Sequence, residues 1–108
     1  MIHFKVYDKW GRCITAHEDN WQHAVEGHPE LSGHENVVMT CMVNPEQLCQ
    51  SDTSTQTKLY LGPVVEQGIF AGATPVTVVH YGTLNTGVWK TGYFTSLPPE
   101  LKVLWKKS

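Results

Sequence analysis

Apolar and polar positions alternate over Ile2-His3-Phe4-Lys5-Val6-Tyr7-Asp8, and Lys9-Trp10-Gly11 turns the chain into a second alternating run, Arg12-Cys13-Ile14-Thr15-Ala16. Successive strand side chains point to opposite faces, so this pattern predicts a β-hairpin. The period then lengthens. Trp21, Ala24, Val25 and His28 recur at helical spacing, which predicts a helix capped by Asp19 or Asn20 with Trp21 anchored in the core. Gly27 is the expected stop of that helix, and Pro29 takes the backbone of His28 out of the α region. Leu31-Ser32-Gly33 separates a second helix that starts near His34, carries Val37, Val38, Cys41 and Met42 as an apolar stripe, and ends at Asn44-Pro45.

From Gln47 onward the pattern is β again: a short piece at 48–50, then 57–61, 76–81 and 88–95, the last three as an antiparallel meander with Gly-containing turns. The tail 101–108 interleaves apolar and basic residues and reads as a docked short helix or a segment that pairs with a partner. A hairpin, two helices and a run of strands predict an α+β fold in one domain, 1–108. Two N-terminal helices pack on one face of an antiparallel four- to five-stranded sheet, preceded by a β-hairpin.

With 108 residues the chain is long enough for a core without metal or disulfide staples. A net charge of −2 argues against broad nonspecific nucleic-acid binding and leaves room for a focal cationic site. Three cysteines without a C-x-x-C pair point to a reducing, cytoplasmic setting instead of a disulfide framework. No leader-like apolar segment and no membrane-length run is expected.

The chemistry concentrates in Trp21-Gln22-His23-Ala24-Val25-Glu26-Gly27-His28-Pro29-Glu30-Leu31, which crowds two imidazoles and two carboxylates around a helix end. Imidazole titrates near neutrality, and a rigid His-Pro corner would fix a proton-transfer group. The same residue at a helix C-terminus also serves as a plain cap. RNA brings its own 2′-hydroxyl nucleophile, so metal-free cleavage needs a base, an acid and donors for the phosphate. His28 with His23, or His28 with His80, is the candidate proton-transfer pair. Period two lines up Lys58 with Tyr60, and Thr91 with Tyr93 and Thr95. His23 and His28 are five apart and no H-E-x-x-H, P-loop, dinucleotide or nucleophile-elbow motif occurs, so neither metal nor cofactor is expected.

The ordered segments W-x-H-x-x-x-x-H-P-E-L, N-P-E-x-L, K-L-Y-L, V-T-V-V and W-K-T-G-Y resemble the small phage-associated members of the barnase, EndoU, colicin and RelE-like ribonuclease superfamily, over most of Trp21 to Thr95. The resemblance implies a toxin-type, metal-independent endoribonuclease, bacterial or phage in origin. It carries over to His28 and Glu30 at the corner, Lys58 and Tyr60 on one strand, and Thr91 and Tyr93 on the last. Together with the residues' own pattern, His28, Glu30, His23 and Thr91 are the expected catalytic set, and Lys58, Tyr60, Lys90 and Tyr93 the expected RNA and phosphate contacts. RNA, and an antitoxin or fused partner protein, are the expected partners. The chain departs from that group in having Gly27 before His28 and a single arginine, Arg12. Loss of a phosphate clamp would slow chemistry. The alternative is a non-enzymatic binding or regulatory module on the same fold, with Trp10, Trp89 and Trp105 as a partner surface.

Overall fold

The computed structural model describes the whole chain, Met1–Ser108. Its elements run β1 (Ile2–Tyr7), β2 (Cys13–His17), α1 (Glu18–Gly27), a 3-10 turn (Pro29–Leu31), α2 (Glu35–Val43), β3 (Gln47–Gln50), β4 (Thr57–Leu61), β5 (Thr74–Tyr81), β6 (Thr86–Thr95) and β7 (Lys102–Lys106). All strands join one sheet in the order β1-β2-β6-β5-β4-β3-β7.

This overturns the expectation of a four- to five-stranded antiparallel sheet fronted by two N-terminal helices. The sheet is seven-stranded and mixed, and the helices are inserted between strands of that sheet. The hairpin does not stand apart: β2 pairs in parallel with β6, Cys13 opposite Thr86 and Thr15 opposite Val88. A free two-stranded hairpin is marginal in water, and joined to β6 this one carries Ile14 and Ala16, both completely buried, into the main core. The tail is neither a helix nor unpaired. It forms β7 and closes the far edge of the sheet antiparallel to β3. Between these additions, β3, β4, β5 and β6 form an antiparallel meander.

Both helices cover one face, where Trp21 and Ala24 of α1 and Val38, Cys41 and Met42 of α2 join Phe4, Ile14, Tyr60, Val79 and Trp89 in the main core. Trp89 is fully buried and meets Phe4 and Trp21 at ring-centroid distances of 6.0 and 5.3 Å. It therefore belongs to no partner surface. A smaller cluster of Cys49, Leu59, Leu61 and Val76, with Val78, Tyr93 and Leu101 against it, occupies the other face. The sheet curls around the helical side until Trp10, in the β1–β2 turn, meets Trp105 of β7 edge to face at 5.2 Å.

The first helix begins earlier than its sequence suggests. Its N-cap is His17, with no side-chain cap bond, and Asn20 reaches across to donate to the Trp89 carbonyl at 3.3 Å. Gly27 is its last residue and has no positive φ, so the helix stops at His28 because Pro29 follows. One imidazole pins three elements together: His3 of β1 lies 2.8 Å from Glu18 of α1, 3.0 Å from Glu35 of α2, and is stacked on Trp21 at 4.8 Å. Two carboxylates, one at each ring nitrogen, are served together only by the imidazolium, whose nitrogens both donate. Burial opposes that charge, but the bonds to Glu18 and Glu35 outweigh it and raise the His3 pKa above 6.5. The bond to His3 in turn lowers Glu18 below 4.5.

The signs define a pH window. A raised histidine contributes stability below pH 6.5 that is lost as pH rises through its folded value, and a lowered glutamate contributes stability above pH 4.5 that is lost on acidification. Urea midpoints should therefore be higher between about pH 4.5 and 6.5 than at alkaline pH, and His3→Gln should flatten that slope; an unchanged slope in the variant would refute the assignment.

Two glycines give a contrasting test of packing. A Cβ at Gly87 would lie 2.7 Å from Val79 Cγ1 and 2.8 Å from Tyr81 Cε1, whereas one at Gly27 meets nothing within 4 Å. Gly87→Ala should cost about 1–3 kcal/mol in chemical denaturation. Gly27→Ala should gain about 0.5 kcal/mol.

Candidate functional site

The expected site residues separate into two places. At the first, Pro29 holds His28 as the C-cap of α1, and the imidazole, 43 % exposed, has its Nδ1 3.5 Å from Glu30 Oε2. The Tyr93 ring lies 6.0 Å away, centroid to centroid. Thr91 and Tyr93 stand opposite Val78 and Val76 of β5 on the same face of β6, two residues apart. Because β2 stops pairing at Val88, the stretch of β6 from Trp89 onward is hydrogen-bonded to another strand on its β5 side alone. His28 and Tyr93 thus meet where β6 has no second strand. Burial pushes the Tyr93 hydroxyl above its ordinary pKa, so it remains a donor at neutral pH.

The remaining expected residues are not gathered there. His23 is exposed on α1 without a bonded partner, and Lys90 is exposed at a bulge in β6. His80 approaches Thr57 Oγ1 at 3.2 Å on the β5–β4 pair and has no contact with His28. Tyr60 is completely buried. It cannot touch RNA.

Tyr60 belongs instead to the second place, built around Asp8 at the end of the first strand. The Asp8 side chain is fully buried. Its Oδ1 accepts from the backbone N–H groups of Trp10 and Arg12 at 2.9 and 2.8 Å, which shapes the turn. Its Oδ2 accepts from Arg12 Nε at 2.8 Å and from the Tyr60 hydroxyl at 2.6 Å. Arg12 Nη2 also donates to the Tyr60 oxygen at 3.2 Å, and the Tyr81 hydroxyl is hydrogen-bonded to that same oxygen. Since Tyr60 gives its proton to Asp8, Tyr81 is the donor in that last pair. Burial, reinforced by the bond to Asp8, raises the Tyr60 phenol well above its usual range, and burial also raises that of Tyr81.

Arg12 is stacked as well as bonded, its guanidinium carbon 4.9 Å from the Tyr81 ring centre and 5.3 Å from that of Trp10. It faces a cleft of about 340 Å³ that it shares with Lys58, Thr55, Tyr81 and Thr83. Lys58 donates to the Thr55 carbonyl at 2.9 Å and to the Gln50 side chain. Burial, and then the charge of Arg12, lower its pKa from the usual lysine value. A second cleft, about 440 Å³, also touches Arg12 and is walled by Trp10, Leu48, Leu104 and Trp105.

Sequence reasoning missed Asp8, Arg12 and Tyr81 as a unit. The signal available was slight: an Asp followed four residues later by the only arginine, across a glycine turn. For metal chemistry, no three His, Cys, Asp or Glu side chains are placed to share an ion. The Cys41 thiol, pushed up to about 12 by burial, is no nucleophile.

Tyr60→Phe removes the hydroxyl from a buried carboxylate and should cost about 1–3 kcal/mol in denaturant unfolding. The raised phenols also carry a sign: their contribution is present below pH 10 and is lost as pH rises through their folded values. Parent stability should fall above pH 10, and Tyr60→Phe should fall less steeply. Equal slopes would show that Tyr60 is not linked to the alkaline transition.

No protein-family model, curated protein or solved structure matches the chain in comparison.

Proposed function

We propose that the protein is a metal-independent, toxin-type endoribonuclease domain in which His28 moves the proton of the RNA 2′-hydroxyl. The observation that carries the reading is the half-exposed His28–Glu30 pair beside Tyr93 at the rigid end of α1. Glu30 stands at the Nδ1 side, and Nε2 has no protein partner and is the nitrogen left for a substrate proton. The 3.5 Å separation is long for a bond in a resting site, and such pairs tighten when substrate binds. Tyr93, kept protonated by burial, and Thr91 on the same strand face would donate to the scissile phosphate. The 2′ oxygen bonds to phosphorus as the bond from phosphorus to the 5′ oxygen breaks, and the proton that His28 takes is passed on to that leaving oxygen, so the residues need only hold and pass protons.

A cytoplasmic setting is part of the proposal, since Cys13, Cys41 and Cys49 are all free thiols. No helix is long and apolar enough to cross a membrane. RNA is the proposed partner, with an antitoxin or fused protein as the restraint on activity.

One observation favours a second reading, a non-enzymatic binding module: neither cleft at Arg12 is lined by His28, Glu30, His23 or Thr91, while Arg12 and Lys58 share one. Incubation with RNA in excess chelator separates the two. The nuclease reading expects cleavage that leaves 2′,3′-cyclic phosphate ends, a rate loss of roughly 100-fold for His28→Ala, and a smaller loss for Thr91→Ala. Full activity in His28→Ala, or an inert parent with and without added metals, would move the assignment to the binding module.

A further inference from the structure

We infer that the cleft between Arg12 and Lys58 binds a phosphate group, carried either by a free nucleotide or by a single-stranded nucleic acid. The inference is independent of the role given to His28: it takes up Lys58, expected above as an RNA contact, joins it to Arg12, and concerns binding alone.

The first ground is charge. Arg12 and Lys58 line the same cleft of about 340 Å³, and the rest of its wall, from Thr55 and Gln56 to Tyr81, Gly82, Thr83 and Leu84, holds no carboxylate. The one anion in contact with Arg12 is Asp8, which lies behind it, wholly buried and fully engaged by four donors. One negative charge set against two positive ones leaves the open side of the cleft cationic, on a protein whose net charge is −2. No carboxylate contacts the Lys58 ammonium, whose partners are Gln50 and the Thr55 carbonyl, and burial first and the charge of Arg12 second lower its pKa.

The second ground is the hydrogen-bond inventory. A guanidinium has five N–H donors. Those of Arg12 reach two protein acceptors, Asp8 through Nε and Tyr60 through Nη2, and no other acceptor meets them. Lys58 gives two of its three donors to Gln50 and Thr55. The leftover donors, a planar fork and a point charge, match the several oxygens of a phosphate better than the two of a carboxylate.

The third ground is rigidity. Arg12 is held at Nε by Asp8 and stacked against Tyr81 and Trp10, so its rotamer freedom is lost in folding and not again on binding. The cleft beyond Arg12, about 440 Å³ and walled by Trp10, Leu104 and Trp105, adds apolar and aromatic surface for a planar base attached to that phosphate. Trp10 is 42 % exposed, and Lys9 lies over the Trp105 ring at 5.3 Å.

The test is an amide and arginine-side-chain NMR titration of the full chain with three probes: inorganic phosphate, thymidine 5′-monophosphate and hexathymidylate. The deoxy chain lacks a 2′-hydroxyl, so it cannot be cleaved by the proposed route and failure of that route does not disturb the reading. Shifts should centre on Arg12 Nε and on the amides of Lys58, Thr83 and Leu84. Lys58→Gln should weaken binding roughly ten-fold, and Arg12→Lys should weaken it at least as much, both variants checked for folding by their amide spectra. Equal affinity for monophosphate and hexamer identifies a nucleotide site. A hexamer that binds about ten-fold more tightly, with affinity falling steeply in salt, identifies a nucleic-acid chain. Absence of shifts at the cleft with all three probes at millimolar concentration, or undiminished binding in Lys58→Gln, would overturn the inference.

Discussion

A carboxylate is buried where the β1–β2 turn meets β4, and the need to satisfy it ties the two ends of the sheet together. Removing Asp8 from water costs several kcal/mol unless the charge is paired and every lone pair is met. Four donors meet it: two backbone amides of the turn, the Arg12 guanidinium and the Tyr60 hydroxyl. The amides set the path of the β1–β2 turn. Tyr60 comes from β4, three strands beyond β2 in the sheet, and for its hydroxyl to reach Asp8 the sheet has to curl over the helices. The contact of Trp10 with Trp105 across that curl is a second consequence of the same bond.

The network also decides where polar chemistry can occur. It takes Tyr60 out of contact with any ligand and, in the same act, fixes Arg12, stacked against Tyr81, in the wall of the cleft. The corner at His28 owes its position to another device, a proline that ends α1 against the open half of β6. One site is thus built by desolvated charge and the other by backbone sterics. They share no residue, which is why the cationic pair and the imidazole are assigned separate roles.

Much of the local structure was legible in the chain. Period two marks β1, β2, β4, β5 and β6, and the stripe through Val38, Cys41 and Met42 marks α2, because these patterns reflect which side each residue faces. Partners were not legible. Parity places Tyr60 beside Lys58 on one face of β4 but does not say that a helix layer and a turn from the other end of the sheet cover Tyr60. Trp89 alternates like a surface aromatic and is core for the same reason. The parallel pairing of β2 with β6 joins segments with no local signal of each other, and β7 reads as a basic tail until β3 supplies its ladder. At the site, the His-Pro-Glu corner is contained in consecutive residues and could be read. The Asp8–Arg12–Tyr60–Tyr81 cluster depends on contacts across the fold and could not.

The pairing of β2 with β6 has a kinetic side. Cys13 and Thr86 are separated by roughly seventy residues, a loop whose closure costs entropy before any contact returns it. On the ribosome the N-terminal hairpin and both helices emerge long before the strand that anchors them, so Ile14, Ala16 and Trp21 stay without their final cover until β6 has followed. The meander from β3 to β6 can assemble by neighbouring turns, and it then presents the only template on which the first hairpin can settle. The β2–β6 ladder is therefore the pairing in this sheet that encloses the longest stretch of chain.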